Sequence, residues 1–272
     1  GKRPNGYISF MYDATPYIQY GGENIIAVRV DHSRSADSRW YTGSGIYRNV
    51  HVIYSNLVHI DQWGVYVYPQ SATARQGVLN IEVNVKNESA SASKLIVKNE
   101  LISSDGKIVA QSSGKLDIPA NAVGKYNNTL KVKTPKLWNT TIIQSGKIID
   151  KTSTTTGFRT FTFDPNKGFA LNKEWLKIKG VCLHHDAGVL GSAVPKEVWK
   201  RRLQNLKAIG VNAIRTTHNP QSPELYELCD ELGLLVLNEV YDEWEFPKRK
   251  WLEGWNVGTP GFEGNFDYFE EW

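Results

Sequence analysis

The chain has 272 residues, with 32 basic and 28 acidic side chains, a net charge of +4 and two cysteines. That length allows two or three domains. The dispersed charges form no basic stripe for nucleic acid, no run of about 18 apolar residues offers a membrane-spanning helix, and two cysteines neither build a disulfide framework nor fix a compartment.

The first residues read as β. Tyr7–Tyr12, Asn24–Val30 and Val50–Tyr54 are strand-like, with Gly21-Gly22 as a turn. No signal peptide is visible, and the sequence opens abruptly in a strand, as a fragment would. Gly77–Lys86 alternates: Leu79, Ile81, Val83 and Val85 share one face and Asn80, Glu82, Asn84 and Lys86 the other. This predicts a strand with one wet face. Residues 88–93 read as a loop. Leu95–Leu101, Ile108–Gln111 and Leu130–Val132 are further strands, with turns at Asp105-Gly106 and Pro119-Ala120-Asn121. Short strands at this spacing predict an antiparallel sandwich. Nine Trp and thirteen Tyr are many for this length. Their expected place is the β core, ahead of stacking on sugar rings.

Near Asp164 the pattern changes. Trp175–Val181 reads as a strand. Pro195–Ile209 reads as a helix, with Val198, Leu203, Leu206 and Ile209 as its apolar stripe and Gly210 as its stop. Val211–Arg215 is a strand. Ser222 and Pro223 open a second helix that Gly233 closes, and Leu234–Leu237 is a third strand. Strand–helix–strand–helix–strand predicts parallel pairing through crossovers. A doubly wound sheet and a (β/α)8 barrel both fit. The missing Gly-rich phosphate loop weighs against a nucleotide fold.

Polar residues collect at the C-terminal ends of these three strands. The first ends in Leu183-His184-His185-Asp186, the second in Arg215-Thr216-Thr217-His218-Asn219-Pro220, and the third in Asn238-Glu239, followed by Asp242, Glu243 and Glu245. Barrel enzymes place their sites at that end. Adjacent His184 and His185 on an extended segment point opposite ways and make poor joint metal ligands. No HExxH helix, paired cysteines or Ser elbow appears. Cys182 reads as a small core residue. The sequons at Asn87, Asn127 and Asn139 are what chance gives in a chain so rich in Asn, Ser and Thr.

Several stretches resemble glycoside hydrolase family 2, and the closest subgroup by motif is its β-galactosidases. RWYTGSGIYRNV (39–50) resembles the segment closing that family's sugar-binding domain, and Gly157-Phe158-Arg159 its motif before the barrel. KIKGVCLHHD (177–186) resembles the first barrel strand, and residues 212–239 the second and third. The resemblance implies a multidomain β plus α/β chain. Residues 1–57 would be a partial jelly-roll, 58–163 an immunoglobulin-like β-sandwich, and 164–272 the first three βα units of a (β/α)8 TIM barrel.

The implied activity is retaining hydrolysis of terminal β-D-galactosides by two glutamates about 5 Å apart. β-Glucuronidase and β-mannosidase are the alternatives within the family. A carbohydrate-binding sandwich or a structural sandwich are the alternatives outside it, and neither needs polar residues on three successive strand ends. Glu239 follows an Asn, like the family's acid/base. That acid/base ends the fourth strand, whereas Asn238-Glu239 ends the third. Both catalytic glutamates are therefore expected beyond Trp272, leaving the fragment inactive alone.

By the same resemblance Asp186 binds the terminal sugar, His218 contacts substrate or stabilises the transition state, His184 lines the pocket and Arg215 orients the nucleophile. Asp37 lies in a loop that reaches a neighbouring site in some relatives. Glu243 matches a magnesium ligand of the intact enzyme, but the family continues with Thr-His where this chain has Trp244-Glu245. Trp40 and Tyr47 are assigned to packing. About ten residues that the family carries after Leu137-Trp138 are missing here, so a sandwich strand is expected to be lost or a stretch omitted. The expected partner is a β-galactoside oligosaccharide or glycoconjugate, with no nucleic acid and no membrane. The full-length protein would be a periplasmic or extracellular homo-oligomer.

Overall fold

The computed structural model of the chain describes residues 1–3, 6–31, 42–72, 76–103, 105–132, 138–144 and 147–240. Two units separate by their internal contacts: residues 51–177, and residues 1–50 together with those from 178 onward.

Residues 51–177 build a sandwich. Its strands are β1 (Val58–Ala72), β2 (Gly77–Asn87), β3 (Ser93–Ser103), β4 (Ile108–Ile118), β5 (Ala122–Val132), β6 (Trp138–Gln144) and β7 (Lys151–Thr156). They form two antiparallel sheets, ordered β1-β2-β5 and β4-β3-β6-β7. The alternation in β2 predicts the observed core. Leu79, Ile81, Val83 and Val85 are each 0% exposed, since a period of two puts them on one face. Val97 and Leu101 of β3, Ile118 of β4, and Leu130 and Val132 of β5 pack against them.

This core is aliphatic, which corrects the expectation that aromatic residues fill it. Tyr126 and Phe158 pack at its margin, while Trp63 and Tyr66 are exposed. The inward positions carry branched side chains that mesh on the pleated faces. The stretch after Leu137 is not a gap in the sheet, because β6 pairs with β3 on one side and β7 on the other.

A small antiparallel meander follows: β8 (Phe161–Asp164), β9 (Gly168–Leu171) and β10 (Glu174–Leu176). The single strand expected over Trp175–Val181 is thus two. Trp175 lies in β10, and Gly180 opens β11 (Gly180–Leu183). The halves have different partners, β9 antiparallel and β12 parallel, so one continuous strand cannot serve both.

In the other unit β11, β12 (Ala213–Thr216) and β13 (Leu235–Asn238) form a parallel sheet in that order. Helices α1 (Lys196–Ala208) and α2 (Pro223–Leu232) connect them. Helical spacing puts Trp199 and Leu203 on one face of α1, and Leu225, Leu228 and Cys229 on one face of α2. These residues bury Ile214 and Leu234, with Val181, Leu183 and Val236 at the edge of the cluster. Gly233 ends α2 at φ +68°, a left-handed cap that costs glycine nothing. The alternate strand residues, Cys182, Arg215 and Leu237, lie on the open face of the sheet.

Among the described residues of 1–57 the expected jelly-roll is not formed as a sheet. Among the described residues there, the one regular element is a 3-10 turn, Thr15–Tyr17. The strands expected at Tyr7–Tyr12, Asn24–Val30 and Val50–Tyr54 are absent from those residues. A strand needs a ladder partner and a cover for its apolar face. Ile25, Val28 and Val52 have neither a ladder nor a cover and are exposed. One part of this segment is nonetheless anchored. Ser192 N donates to Thr42 O at 2.9 Å, and Gly191, at φ +54°, lies where any Cβ would strike the Thr42 carbonyl.

Candidate functional site

The C-terminal ends of β11, β12 and β13 bring five side chains together. Arg215 points from β12 to Glu239, just past β13, and Nε donates to Oε1 at 2.6 Å. Nη1 of the same guanidinium reaches Cys182 Sγ on β11 at 3.6 Å. The other carboxylate oxygen, Oε2, faces His218 Nδ1 at 3.5 Å. The His218 ring in turn meets His184 edge-on, with centroids 5.3 Å apart. Parallel register explains the convergence. Cys182 pairs with Arg215, and Thr216 with Asn238, so the residues after each strand emerge on one rim. Arg215 is 45% and Glu239 22% exposed. The pair therefore adds little to stability, and its value lies in fixed geometry.

A second layer holds Glu239. Thr216 Oγ1 donates to Asn238 Oδ1 at 2.8 Å and accepts from Glu239 N at 2.9 Å. Tyr226 OH donates to the same Oδ1 at 2.6 Å and accepts from Gln221 N at 3.0 Å. Two donors thus occupy the Asn238 amide oxygen. An asparagine offering that oxygen to a substrate would need it free. Sequence reasoning missed this layer. Thr216 and Tyr226 look like ordinary strand and helix residues until the fold joins them.

Asp186 follows the pair of histidines after β11. Arg202 of α1 donates to its backbone carbonyl at 3.0 Å, and Arg202 itself stacks over Trp199 at 4.8 Å. His185 is 3% exposed. Tyr7 meets it edge-on at 4.6 Å. Burial pushes the His185 pKa down to about 4. Asp186 opposes this, while the charges of His184, Arg48 and His218 add to it.

The unfolded chain takes up a proton on His185 near pH 6.5, whereas the folded chain does not until about pH 4. Its contribution is therefore complete above pH 6.5 and is lost as pH falls towards 4. Over that window the unit is expected to lose about 3 kcal/mol. Urea titrations at pH 7 and 4.5 check this, and His185→Gln should flatten the difference.

Asp37 and Glu243 lie outside the described residues, as does Trp40. Among the described residues no group of three His, Cys, Asp or Glu is arranged to hold a metal ion. Nor is any helix there long and apolar enough to cross a membrane.

Comparison with known proteins bears on this arrangement. Residues 165–245 match the model for the glycosyl hydrolases family 2 TIM barrel domain, and residues 58–159 match a second model, glycosyl hydrolases family 2. A β-galactosidase of Bacteroides ovatus, BoGH2A, is 41% identical over 258 residues, covering 91% of this chain and 30% of that protein. A crystal structure of a glycosyl hydrolase family 2 member from Bacteroides cellulosilyticus superposes with a TM-score of 0.78 at 32% identity, over 85% of this chain and 33% of that one. A Bacteroides uniformis β-glucuronidase gives 0.80 at 26% identity, over 92% of this chain and 31% of that one. The chain thus spans about a third of the length of these relatives. Together the two models cover about two thirds of the chain. The chain belongs to glycosyl hydrolase family 2.

Proposed function

We propose that this chain is the part of a retaining exo-glycosidase that holds the terminal sugar, and that the whole enzyme hydrolyses terminal β-D-galactosides. One observation carries the reading. Three successive parallel strands, in a segment matching the family's barrel, deliver His184, Arg215, His218 and Glu239 to one rim in direct contact. A non-catalytic sugar-binding sandwich has no use for that rim.

In this reading Asp186, His184 and His218 bind the sugar. Arg215 and Glu239 form the ion pair beneath it, with Arg215 oriented towards the nucleophile. Both catalytic glutamates come from later strands of the barrel. The occupied Asn238 oxygen supports this division, since Asn238-Glu239 is built into the scaffold. The domain limits proposed are 1–57, 58–163 and 164–272. Asp37 reaching a neighbouring site and Glu243 holding magnesium belong to the same proposal.

β-Glucuronidase is the second reading, favoured by the Bacteroides uniformis enzyme of that name that shares this fold. The test is turnover by the full-length protein. Nitrophenyl β-D-galactoside should be hydrolysed, with the β-configured sugar as first product by NMR. Turnover of the β-glucuronide alone would select the second reading. Turnover of neither, in a folded protein, would end both.

A further inference from the structure

We infer that Arg48, far from the strand ends in sequence, is a positioning residue that fixes the turn carrying His218. The guanidinium bridges two backbone carbonyls. Nη1 donates to Tyr7 O at 2.5 Å and Nη2 to Pro220 O at 2.9 Å. Pro220 is two residues past His218 on the segment leaving β12. Arg48 also lies over the Tyr47 ring at 5.0 Å, and Tyr47 OH donates to Gly6 O at 2.7 Å. Residues 6–7 and 47–48 are thereby tied together.

The Tyr7 ring then closes over His185, and Thr42 receives the amide of Ser192. Tyr7, Thr42 and Arg48 thus grip both the segment after β11 and the segment after β12. A guanidinium suits this task, because its fork reaches two carbonyls at once where a lysine would reach one well. The turn from Thr217 to Gln221 is also held by two amides, Thr217 N to Leu183 O at 3.0 Å and Gln221 N to Tyr226 OH at 3.0 Å, and by the contacts of His218 with Glu239 and His184. Arg48 adds an anchor from outside the barrel strands.

This inference rests on the proposed sugar-binding role of His218, so its test has two independent readouts. The first is amide hydrogen exchange in the full-length protein. In Arg48→Ala, the amides of Thr217 and Gln221 should exchange faster, by about 10-fold or more. Arg48→Lys should be intermediate. Tyr47→Phe, which removes only the bond to Gly6, should leave them unchanged.

The second readout is kcat/KM on the nitrophenyl glycoside. Arg48→Ala should lose between about 10- and 100-fold, the scale of a small misplacement at a distance. Added guanidinium should restore part of this, and Tyr47→Phe should lose little. Unchanged exchange at Thr217 and Gln221 in Arg48→Ala would overturn the positioning role. So would faster exchange with undiminished kcat/KM, or equal losses in Tyr47→Phe. If the unmutated protein turns over no glycoside, the glycosidase reading fails instead, and the exchange data still decide what Arg48 holds.

Discussion

Trp199→Ala is expected to destabilise the α/β unit by about 3–5 kcal/mol, the range for removing a buried aromatic from a closed core. Trp199 is 2% exposed and packs with Leu203, Ile214, Leu225 and Leu228, so alanine leaves a void that the neighbouring helix can fill only in part. A domain stable by about 5–15 kcal/mol loses much of its margin to such a change. A local effect accompanies it. Arg202 rests on the indole and holds the carbonyl of Asp186. Losing the indole therefore frees the segment proposed to bind sugar. Urea unfolding followed by circular dichroism gives the stability change. A midpoint shift worth less than about 1 kcal/mol would show that the site relaxes easily.

Arg215→Ala is expected to lower kcat/KM of the full-length enzyme by about 100-fold while changing its stability little. The activity loss follows from geometry, since displacement of a site residue by about 1 Å costs that much. Without the guanidinium, Glu239 loses the partner that fixes Oε1, and His218 faces a carboxylate free to rotate. The small stability effect follows from exposure, since a pair this open to water contributes roughly 0–1 kcal/mol. Arg215→Lys should recover little, because an ammonium lacks the fork that reaches both Glu239 and Cys182. Steady-state kinetics beside thermal melts separate the two effects. Parallel loss of both would make Arg215 a structural residue.

Elements with a strong local period were legible in the sequence. The alternation of Leu79, Ile81, Val83 and Val85 marks β2 and its buried face, and Pro223 with Gly233 marks the ends of α2. The polar strand ends were legible too, because a short strand leaves few places for a run such as Leu183-His184-His185-Asp186 to go. Three things were not. Residues such as Ile25, Val28 and Val52 have strand-like composition but no strand beside them, and composition carries no information about partners. The layer of Thr216, Asn238, Tyr226 and Gln221 exists only once β12, β13 and α2 are docked. The bond from Arg48 to Pro220 spans 172 positions, beyond any local pattern.

Asn238-Glu239 shows the limit most clearly. The dipeptide alone reads as a proton donor beside its asparagine. The fold places it at the end of β13, with the asparagine oxygen taken by Thr216 and Tyr226 and the glutamate bound to Arg215. A carboxylate bonded to a guanidinium suits a supporting role.

In the proposed reading Glu239 supports the sugar pocket and does not supply the proton. Glu239→Gln in the full-length enzyme tests it on two galactosides, one with a dinitrophenyl leaving group and one with a poor alkyl leaving group. An acid catalyst is needed only for the poor leaving group, where it contributes about 100- to 10,000-fold. The expected result is the same fractional loss on both substrates, with no recovery on adding azide. Near-normal kcat/KM for dinitrophenol release with a low kcat that azide restores, together with collapse of kcat/KM on the alkyl galactoside, would make Glu239 the acid/base and contradict that reading.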